Sequence, residues 1–296
     1  MRIVGVDIGG TSILLGVFNE NGIKEQSFTY DITQDTSGES ILNELIERIK
    51  TLGSIDAIGI CAPGQIDQQT GAVIGDLVNI PHSTNLEIKS ILETHLSVPV
   101  HVCNDVEAAA LGESNFGLHD DMTNYLFVAY GTGVGGAIVR DAEIDSGEMG
   151  YAGEFGHMIT HVNGQQCACG MKGCYEVYAS TKALVQTAIK IDPLYDDGRK
   201  IIAAHKQGNI KIQAVVEDWL VEVVAGLVSL VHIFNPTTLV LGGGIMENDF
   251  LITEIQARLN EQILRAFRHV HVKKASLGNK AGMYGAVIFF LKRGIK

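Results

Sequence analysis

Two patterns of apolar residues alternate along this chain and predict alternating strands and helices. Short runs of β-branched and aliphatic residues predict strands over residues 2–8, 13–18, 57–62, 98–102 and 238–241, with two more inside residues 125–139. The turn signal Asn21-Gly22 predicts a further strand after residue 22. Apolar residues at helical spacing predict helices over residues 40–52, 86–96, 106–113, 181–191, 215–234, 251–267 and 281–292. This alternation predicts an α/β protein with a mostly parallel, covered sheet.

The order strand, glycine-rich loop, strand occurs twice, within residues 2–18 and again within 125–139. Such a repeat indicates two related α/β lobes that face each other. Because no Pro/Ser-rich linker marks a boundary, we place it by pattern near residue 117. The predicted domains are residues 1–117, with a C-terminal helix at 281–296 packing back on them, and residues 118–280.

Composition narrows the class of protein. The chain of 296 residues has a net charge of −12 and no cluster of basic residues, which argues against a nucleic-acid or anionic-membrane partner. No apolar run approaches the roughly 20 residues of a membrane span, and the start MRIVGVDIGG does not resemble a signal peptide. The five cysteines fit a reducing cytoplasm better than a disulfide framework. Cys61 and Cys103 are predicted to be inert buried thiols.

One histidine and three cysteines are concentrated in the polar segment GEFGHMITHVNGQQCACGMKGCYEVYAS. They are His157, Cys167, Cys169 and Cys174. Together they form a complete tetrahedral ligand set for Zn²⁺, and a closed set of four ligands holds structure because it leaves no open position for water. The alternative, that the cysteines are simply small buried hydrophobes, fits poorly with three of them within eight polar and glycine-rich residues. The zinc-binding loop, residues 157–174, is expected to bring Glu154, His157 and Glu176 together.

Three glycine-rich loops follow predicted strands. They are Asp7-Ile8-Gly9-Gly10-Thr11, Gly131-Thr132-Gly133-Val134-Gly135-Gly136 and Gly242-Gly243-Gly244. Glycine lets backbone N–H groups approach phosphate oxygens, and the third loop offers a bare backbone to a base or ribose. Asp7 can hold Mg²⁺, directly or through water, and Thr11 adds a hydroxyl donor. Any one loop could be an ordinary hairpin, but the three together point to a phosphate donor in a cleft.

Carboxylates at two further places can carry chemistry. Asp105, where a strand opens onto a helix, can accept the proton of a hydroxyl that attacks phosphorus, while Asn104 orients that hydroxyl. The alternative is that Asp105 only N-caps the helix that begins at Val106. Glu154 and Glu176 flank the zinc ligands and suit several adjacent sugar hydroxyls; the alternative is solvated surface charge. The zinc-ligating histidine can offer its second ring nitrogen to a hydroxyl.

With these residues in view, the chain resembles the ROK family (repressors, open reading frames and sugar kinases) of the actin-like ATPase/hexokinase superfamily. The resemblance spans essentially the whole chain. Its motifs are DIGGT at 7–11, APGQID at 62–67, CNDVEAAALGE at 103–113, YGTGVGGAI at 130–138, GEFGH at 153–157, CACGMKGCYE at 167–176 and LGGGI at 241–245. It implies two lobes with RNase-H-like cores, ATP·Mg²⁺ between them, and a hexose held by residues of both.

The resemblance also implies roles for matching residues. Those implied to bind the sugar are Gly64, Asn79, Asn104, Asp105, Glu154, His157 and Glu176. Those implied to bind ATP and Mg²⁺ are Asp7, Gly9, Gly10, Thr11, Gly131, Thr132, Gly133, Gly243 and Gly244. Asp105 is implied as the general base, zinc as a structural metal, and a homodimer as the assembly. One departure is Ser12, where the family commonly has a lysine after GGT; this change could weaken phosphate steering.

The function expected from these residues is ATP-dependent phosphorylation of a hexose at the C6 hydroxyl. Glucose is the default substrate; N-acetylmannosamine, N-acetylglucosamine, mannose, fructose and β-glucosides remain alternatives. A sugar-sensing repressor of the same family is disfavoured, because the first predicted strand starts at Arg2 and leaves no room for a DNA-binding segment. A sugar-binding module without catalysis is disfavoured because Asp105 and the phosphate loops are intact.

Overall fold

The chain forms two compact units, which the computed structural model describes over residues 1–32, 36–75, 80–118 and 122–294. The first unit comprises Met1–Met122, Ala142–Tyr151 and Asn279–Lys296, and the second comprises Thr123–Asp141 and Ala152–Gly278. Within the described ranges, none of the helices combines the length and the apolar character that crossing a membrane requires.

The first sheet mixes antiparallel and parallel strands. Its strands are Arg2–Ile8 (β1), Ser12–Asn19 (β2), Lys24–Asp31 (β3), Ala57–Ala62 (β4) and Val100–Asn104 (β5). Their order is β3-β2-β1-β4-β5, with β1, β2 and β3 antiparallel and β1, β4 and β5 parallel. The expected mostly parallel sheet is therefore wrong for β1–β3. The loops after β1 and β2 are hairpin loops, far too short for the crossover that parallel neighbours need.

The second sheet follows the same plan. Its strands are Tyr125–Tyr130 (β6), Val134–Arg140 (β7), Glu143–Ile144 (β8), Thr238–Gly242 (β9) and His271–Lys274 (β10). Their order is β10-β9-β6-β7-β8, in which β6 pairs antiparallel with β7 and parallel with β9, and β9 pairs parallel with β10. Read from the β8 edge, this order repeats that of the first sheet. The prediction of two α/β lobes of related design is confirmed.

Most helices begin and end near the predicted positions. They are Gly38–Lys50 (α1), Ile88–Leu96 (α2), Asp105–Gly112 (α3), Glu176–Ala179 (α4), Thr181–Ala188 (α5), Gly198–Lys206 (α6), Ile210–Phe234 (α7), Asp249–Gln262 (α8), Ala281–Ala286 (α9) and Ile288–Arg293 (α10). A π-helical turn, Glu113–Gly117, extends α3. The single helix predicted over 281–292 is wrong, since α9 and α10 are separate. The sequence patterns also missed α4, α6, β8 and β10.

The first sheet is covered on both faces. Side chains at even and odd positions of β1 point to opposite faces. Val4 and Val6 belong to the core that contains the apolar side chains of α1 and α2. Ile3 instead packs in a cluster with Met283 and Val287 from the C-terminal end of the chain. Because side chains alternate along a strand, Asp7, like Ile3, points to the face covered by α9.

Residues 142–151 belong to the first unit, although the boundary expected near residue 117 assigns them to the second lobe. Gln68 Nε2 donates to Ser146 Oγ at 2.7 Å, and Ser146 Oγ donates to Glu107 Oε1 at 3.0 Å. The Lys292 ammonium donates to the carbonyl of Ala142 at 2.8 Å. These polar contacts, distant in sequence, tie the segment to the first unit.

Helices α3 and α9 approach each other at backbone distance through glycines. A Cβ added at Gly285 would overlap the backbone of Ala108, and one added at Gly112 would overlap the carbonyl of Ala281. Packing this close fixes the axis of α3. Because Asp105 is the first residue of α3, the packing of α9 against α3 also fixes the position of the Asp105 carboxylate.

We expect Gly285→Ala to lower the free energy of unfolding by about 1–3 kcal/mol, because the methyl group must push two helix backbones apart. Gly75→Ala is the matched control, since no atom of the described residues lies within 4 Å of a Cβ added there. Urea denaturation followed by circular dichroism compares the two variants. Equal stability of the two would contradict the close approach of α3 and α9.

Candidate functional site

The four predicted metal ligands lie together in the second unit. One donor atom from each of His157, Cys167, Cys169 and Cys174 lies within 4.8 Å of the other three. The sulfurs of Cys169 and Cys174 are 3.6 Å apart, and the sulfur of Cys167 is 4.0 Å from Nδ1 of His157. Tetrahedral Zn²⁺ with Zn–S bonds of about 2.3 Å requires S–S separations of roughly 3.8 Å. The donor set and its spacing therefore fit a tetrahedral metal ion.

The knuckle that carries the three thiols is built from tight turns. Gly170 N–H donates to the carbonyl of Cys167 at 3.1 Å, and Cys167 N–H donates to the carbonyl of Met171 at 2.8 Å. Gly170 and Gly173 have φ values of +90° and +81°, which favour glycine. This backbone turns the chain back within eight residues, so that three sulfurs point to one place.

Two carboxylates flank the imidazole beside this cluster. Oε2 of Glu154 is 3.8 Å from Nε2 of His157, and Oε1 of Glu176 is 4.0 Å from its Nδ1. The Nδ1 side faces the sulfur of Cys167, so Nδ1 is the nitrogen placed to ligate a metal. The three predicted groups are thus brought together, as expected. Nε2 is left on the Glu154 side, where it can meet a hydroxyl.

Glu176 also contacts the metal ligands and a glycine loop. The thiol of Cys167 donates to Oε1 of Glu176 at 3.0 Å. Burial and this hydrogen bond raise the pKa of Cys167. The other oxygen, Oε2, lies against the backbone of Gly133. Glu176 therefore stands at the junction of the metal cluster and the second glycine loop.

In the first unit, a half-buried acidic pair, Asp7 and Asp105, lies at the carboxyl ends of β1 and β5. Asp7 is in register with Cys61 on the neighbouring parallel strand. A Cβ added at Gly282 of α9 would lie 2.5 Å from Oδ2 of Asp7 and 2.9 Å from the sulfur of Cys61, so the two side chains share one small space. Burial and the negative charge of Asp105 raise the pKa of Asp7 from 3.8 to about 7, against a hydrogen bond with Cys61 that lowers it.

The N-cap of α3 is Asn104 and not Asp105, so the cap interpretation of Asp105 is wrong. Oδ1 of Asn104 accepts from Val106 N at 2.8 Å and from Glu107 N at 3.1 Å. Its amide Nδ2 donates to the carbonyl of Gly64 at 2.9 Å. Asn104 therefore holds both the helix and the backbone of Gly64, whose φ is +85°. Asp105, in the first turn, accepts from Val106 N at 2.9 Å.

The glycine loops lie at strand ends, two in the second unit and one in the first. Gly9 and Gly10 form the hairpin between β1 and β2 with Thr11, and Gly9 N–H donates to the carbonyl of Ser12 at 2.9 Å. Of the remaining loop residues that the resemblance assigns to ATP, Gly131, Thr132, Gly243 and Gly244 are exposed, whereas Gly133 is half-buried. Among the described residues, none has an atom within 4 Å of a Cβ added at Gly131 or Gly244. These two backbones are accessible to a ligand.

Not every predicted residue can be placed. Asn79 lies outside the described residues. The sequence patterns also missed two residues next to the site, Tyr130 and Tyr175, which are both buried and hydrogen-bonded to each other through their hydroxyls. The only signal for them is position: Tyr130 directly precedes a glycine loop, and Tyr175 stands between Cys174 and Glu176.

Comparison with known proteins gives the family. A glucokinase of Streptomyces coelicolor is 32% identical over 311 residues, covering 96% of this chain and 95% of the relative. An N-acetyl-D-glucosamine kinase of Haemophilus influenzae is 30% identical and covers 98% of this chain and 99% of the relative. The crystal structure of a ROK family glucokinase from Streptomyces griseus, in complex with glucose and AMPPNP, is 30% identical with a TM-score of 0.84 and covers 98% of this chain and 99% of that one. The ROK family model matches residues 3–293, and the chain belongs to the ROK family.

Proposed function

We propose that this chain is an ATP-dependent sugar kinase that transfers the terminal phosphoryl group of ATP to the C6 hydroxyl of a hexose. The observation that carries the proposal is the group formed by Glu154, His157 and Glu176, in which each carboxylate lies within 4.0 Å of the imidazole. Adjacent hydroxyls of a sugar ring need several hydrogen-bond acceptors a few ångströms apart. Relatives that are named glucokinase and N-acetyl-D-glucosamine kinase support the same class of substrate.

The proposed general base is Asp105. Its carboxylate takes the proton of the C6 hydroxyl while that oxygen bonds to the γ-phosphorus and the bond to the departing ADP oxygen breaks. Asp105 lies in the first turn of α3, where the helix N–H groups favour a negative charge. Asn104, by capping the same helix and holding Gly64, keeps the backbone around the base in place.

The phosphate donor is assigned to the glycine loops. Gly131 and Gly244 leave space above their backbones, and Thr11 and Thr132 are exposed hydroxyls at the tips of two loops. Asp7 is the residue that would hold Mg²⁺, which neutralises charge on the phosphates when bound. Zinc in the His157 cluster would serve as a structural tie that keeps the sugar-binding groups together.

Glucose is the proposed default substrate, and an N-acetylated hexosamine, fructose or a β-glucoside stays an alternative. Two segments are expected to line the region beside C1 and C2: Gly64 to Asn85, described over 64–75 and 80–85, and the residues around Glu148–Gly153. A homodimer remains a prediction from the resemblance.

We expect Asp105→Asn to lower kcat for sugar phosphorylation by roughly 10²–10⁴-fold, because the amide cannot take the hydroxyl proton. The KM for the sugar should change little. A coupled ADP-release assay, run first on a panel of hexoses, N-acetylhexosamines and β-glucosides, measures both. Asp192→Asn is the control, since the Asp192 side chain accepts a hydrogen bond from Leu194 N through an oxygen that asparagine retains. Unchanged phosphorylation by the Asp105 variant would rule out the proposed mechanism.

Removing the metal with a strong chelator should weaken sugar binding before it weakens nucleotide binding. The reason is that Glu154, His157 and Glu176 are part of the metal-bound segment or adjoin it, and metal binding is coupled to local folding. Isothermal titration calorimetry with glucose and with AMPPNP, before and after chelation, checks this order. Adding Zn²⁺ back should restore sugar affinity. Equal loss of both affinities, or loss of neither, would contradict the positioning role.

The proton on Asp7 gives a pH-dependent contribution to stability. Since the folded state keeps this proton up to pH about 7 and the unfolded chain loses it near pH 3.8, stability from this group falls as the pH rises between these values. We compare the free energy of unfolding of Asp7→Asn with that of the wild type, both without Mg²⁺. The difference should shift in favour of the variant by about 4 kcal/mol between pH 4 and pH 8. Urea denaturation at several pH values measures the difference. A difference that does not change with pH would show that the Asp7 carboxylate is not buried as described.

A further inference from the structure

Two buried tyrosines join their hydroxyls in the core of the second unit. Tyr130 and Tyr175 are each 0% exposed, and their oxygens are 2.9 Å apart. Their rings meet edge to face, with centroids 6.4 Å apart. A tyrosine hydroxyl keeps its proton at neutral pH, so each of the two can donate one hydrogen bond.

The direction of this hydrogen bond follows from counting protons. The Tyr175 hydroxyl has a single proton, which it donates to the carbonyl of Val223 in α7 at 2.7 Å. Tyr130 must therefore donate to Tyr175. The result is a chain of two hydrogen bonds from the end of β6 through Tyr175 to α7.

Tyr175 is bound to the metal-ligand segment through its backbone. It directly follows the ligand Cys174, and its N–H donates to the carbonyl of Met158, the residue after His157, at 2.8 Å. Its ring lies over Gly226 of α7, where an added Cβ would overlap the ring. Fixing this one side chain thus fixes the backbone beside two of the four metal ligands.

Tyr130 is bound in the same way to the glycine loops. The hydroxyl of Thr181 donates to its carbonyl at 2.9 Å, and Lys182 N–H donates to the carbonyl of Gly131 at 3.2 Å. A Cβ added at Gly243, whose φ is +95°, would overlap the backbone of Tyr130. Tyr130 therefore has the second loop directly after it and the third loop packed against it.

We propose that Tyr130 is a positioning residue whose hydroxyl couples the metal knuckle at Cys174 to the glycine loops that begin at Gly131 and Gly243. Through Tyr175, order in the metal site stabilises these loops, and a ligand bound at the loops stabilises the metal site in return. The assignment of ATP to the loops rests on the proposed function. The physical link between Tyr130 and the metal site does not.

The test measures metal retention in the zinc-loaded full-length chain, without sugar. Zinc transfer to an excess of a colorimetric chelator is followed for the wild type, Tyr130→Phe, Tyr175→Phe and the double variant. We expect Tyr130→Phe to release zinc roughly three- to tenfold faster, the effect of losing one buried hydrogen bond. The double variant should resemble Tyr175→Phe alone, because both changes break the same hydrogen bond. Release from Tyr130→Phe at the wild-type rate would overturn the proposal.

The matched control is Tyr195→Phe, which loses the hydrogen bond from Asn209 Nδ2 elsewhere in the second unit. Zinc release from this variant should match the wild type; acceleration equal to that of Tyr130→Phe would reveal general loosening and overturn the coupling.

A second measurement adds AMPPNP with Mg²⁺. The nucleotide should slow zinc release in the wild type but much less in Tyr130→Phe, and equal slowing in both would contradict coupling through this hydroxyl. If calorimetry finds no nucleotide binding to the wild type, the proposed function fails, while the zinc-release rates without nucleotide still decide the link.

Discussion

The parallel register of β1, β4 and β5 is the constraint on which the first unit's chemistry depends. It sets Asp7, Cys61 and Cys103 in one row across three strands, and the chain leaves β5 directly into Asn104 and Asp105. Two half-buried acidic side chains are thereby held close enough for the charge of one to raise the pKa of the other. The Mg²⁺ that we propose for Asp7 would relieve the repulsion between the carboxylates. A one-residue slip of β4 or β5 would turn every side chain of that strand to the other face of the sheet.

Much of this could be predicted from the sequence, because the signals are local. The strand before Gly9, the turn at Gly22 and the stripe of α1 are set by neighbouring residues, and the structure has all three. The cluster of candidate metal ligands could be predicted for a similar reason: three cysteines within eight residues can converge only if the chain turns tightly between them. The short spacing of the cysteines along the chain was enough to predict that their sulfurs lie close together.

What could not be predicted depends on partners distant in sequence. Gly282 and Gly285 weaken a helical signal, yet they are needed because α9 packs against Asp7 and Ala108. No sequence pattern predicts that the loop residue Ser146 forms hydrogen bonds with Gln68 and Glu107. Tyr130 and Tyr175 look like ordinary core residues in the sequence. No local pattern predicts a hydrogen bond between hydroxyls that lie 45 residues apart. The Asn104 cap was missed because the acidic neighbour also suits the position.

The contribution of the last helices to the first unit has a consequence for how the chain folds during synthesis. Ile3, Phe18 and Ala57 are covered by Met283, Val287 and Phe290, which are synthesised after the second unit. One apolar face of the first sheet therefore stays uncovered while the second unit is translated and folds. At about 5–20 residues per second, the roughly 160 intervening residues take on the order of 10–30 s. During that interval the nascent chain exposes a surface that suits a chaperone, and a truncated product lacking its last two helices would expose it permanently.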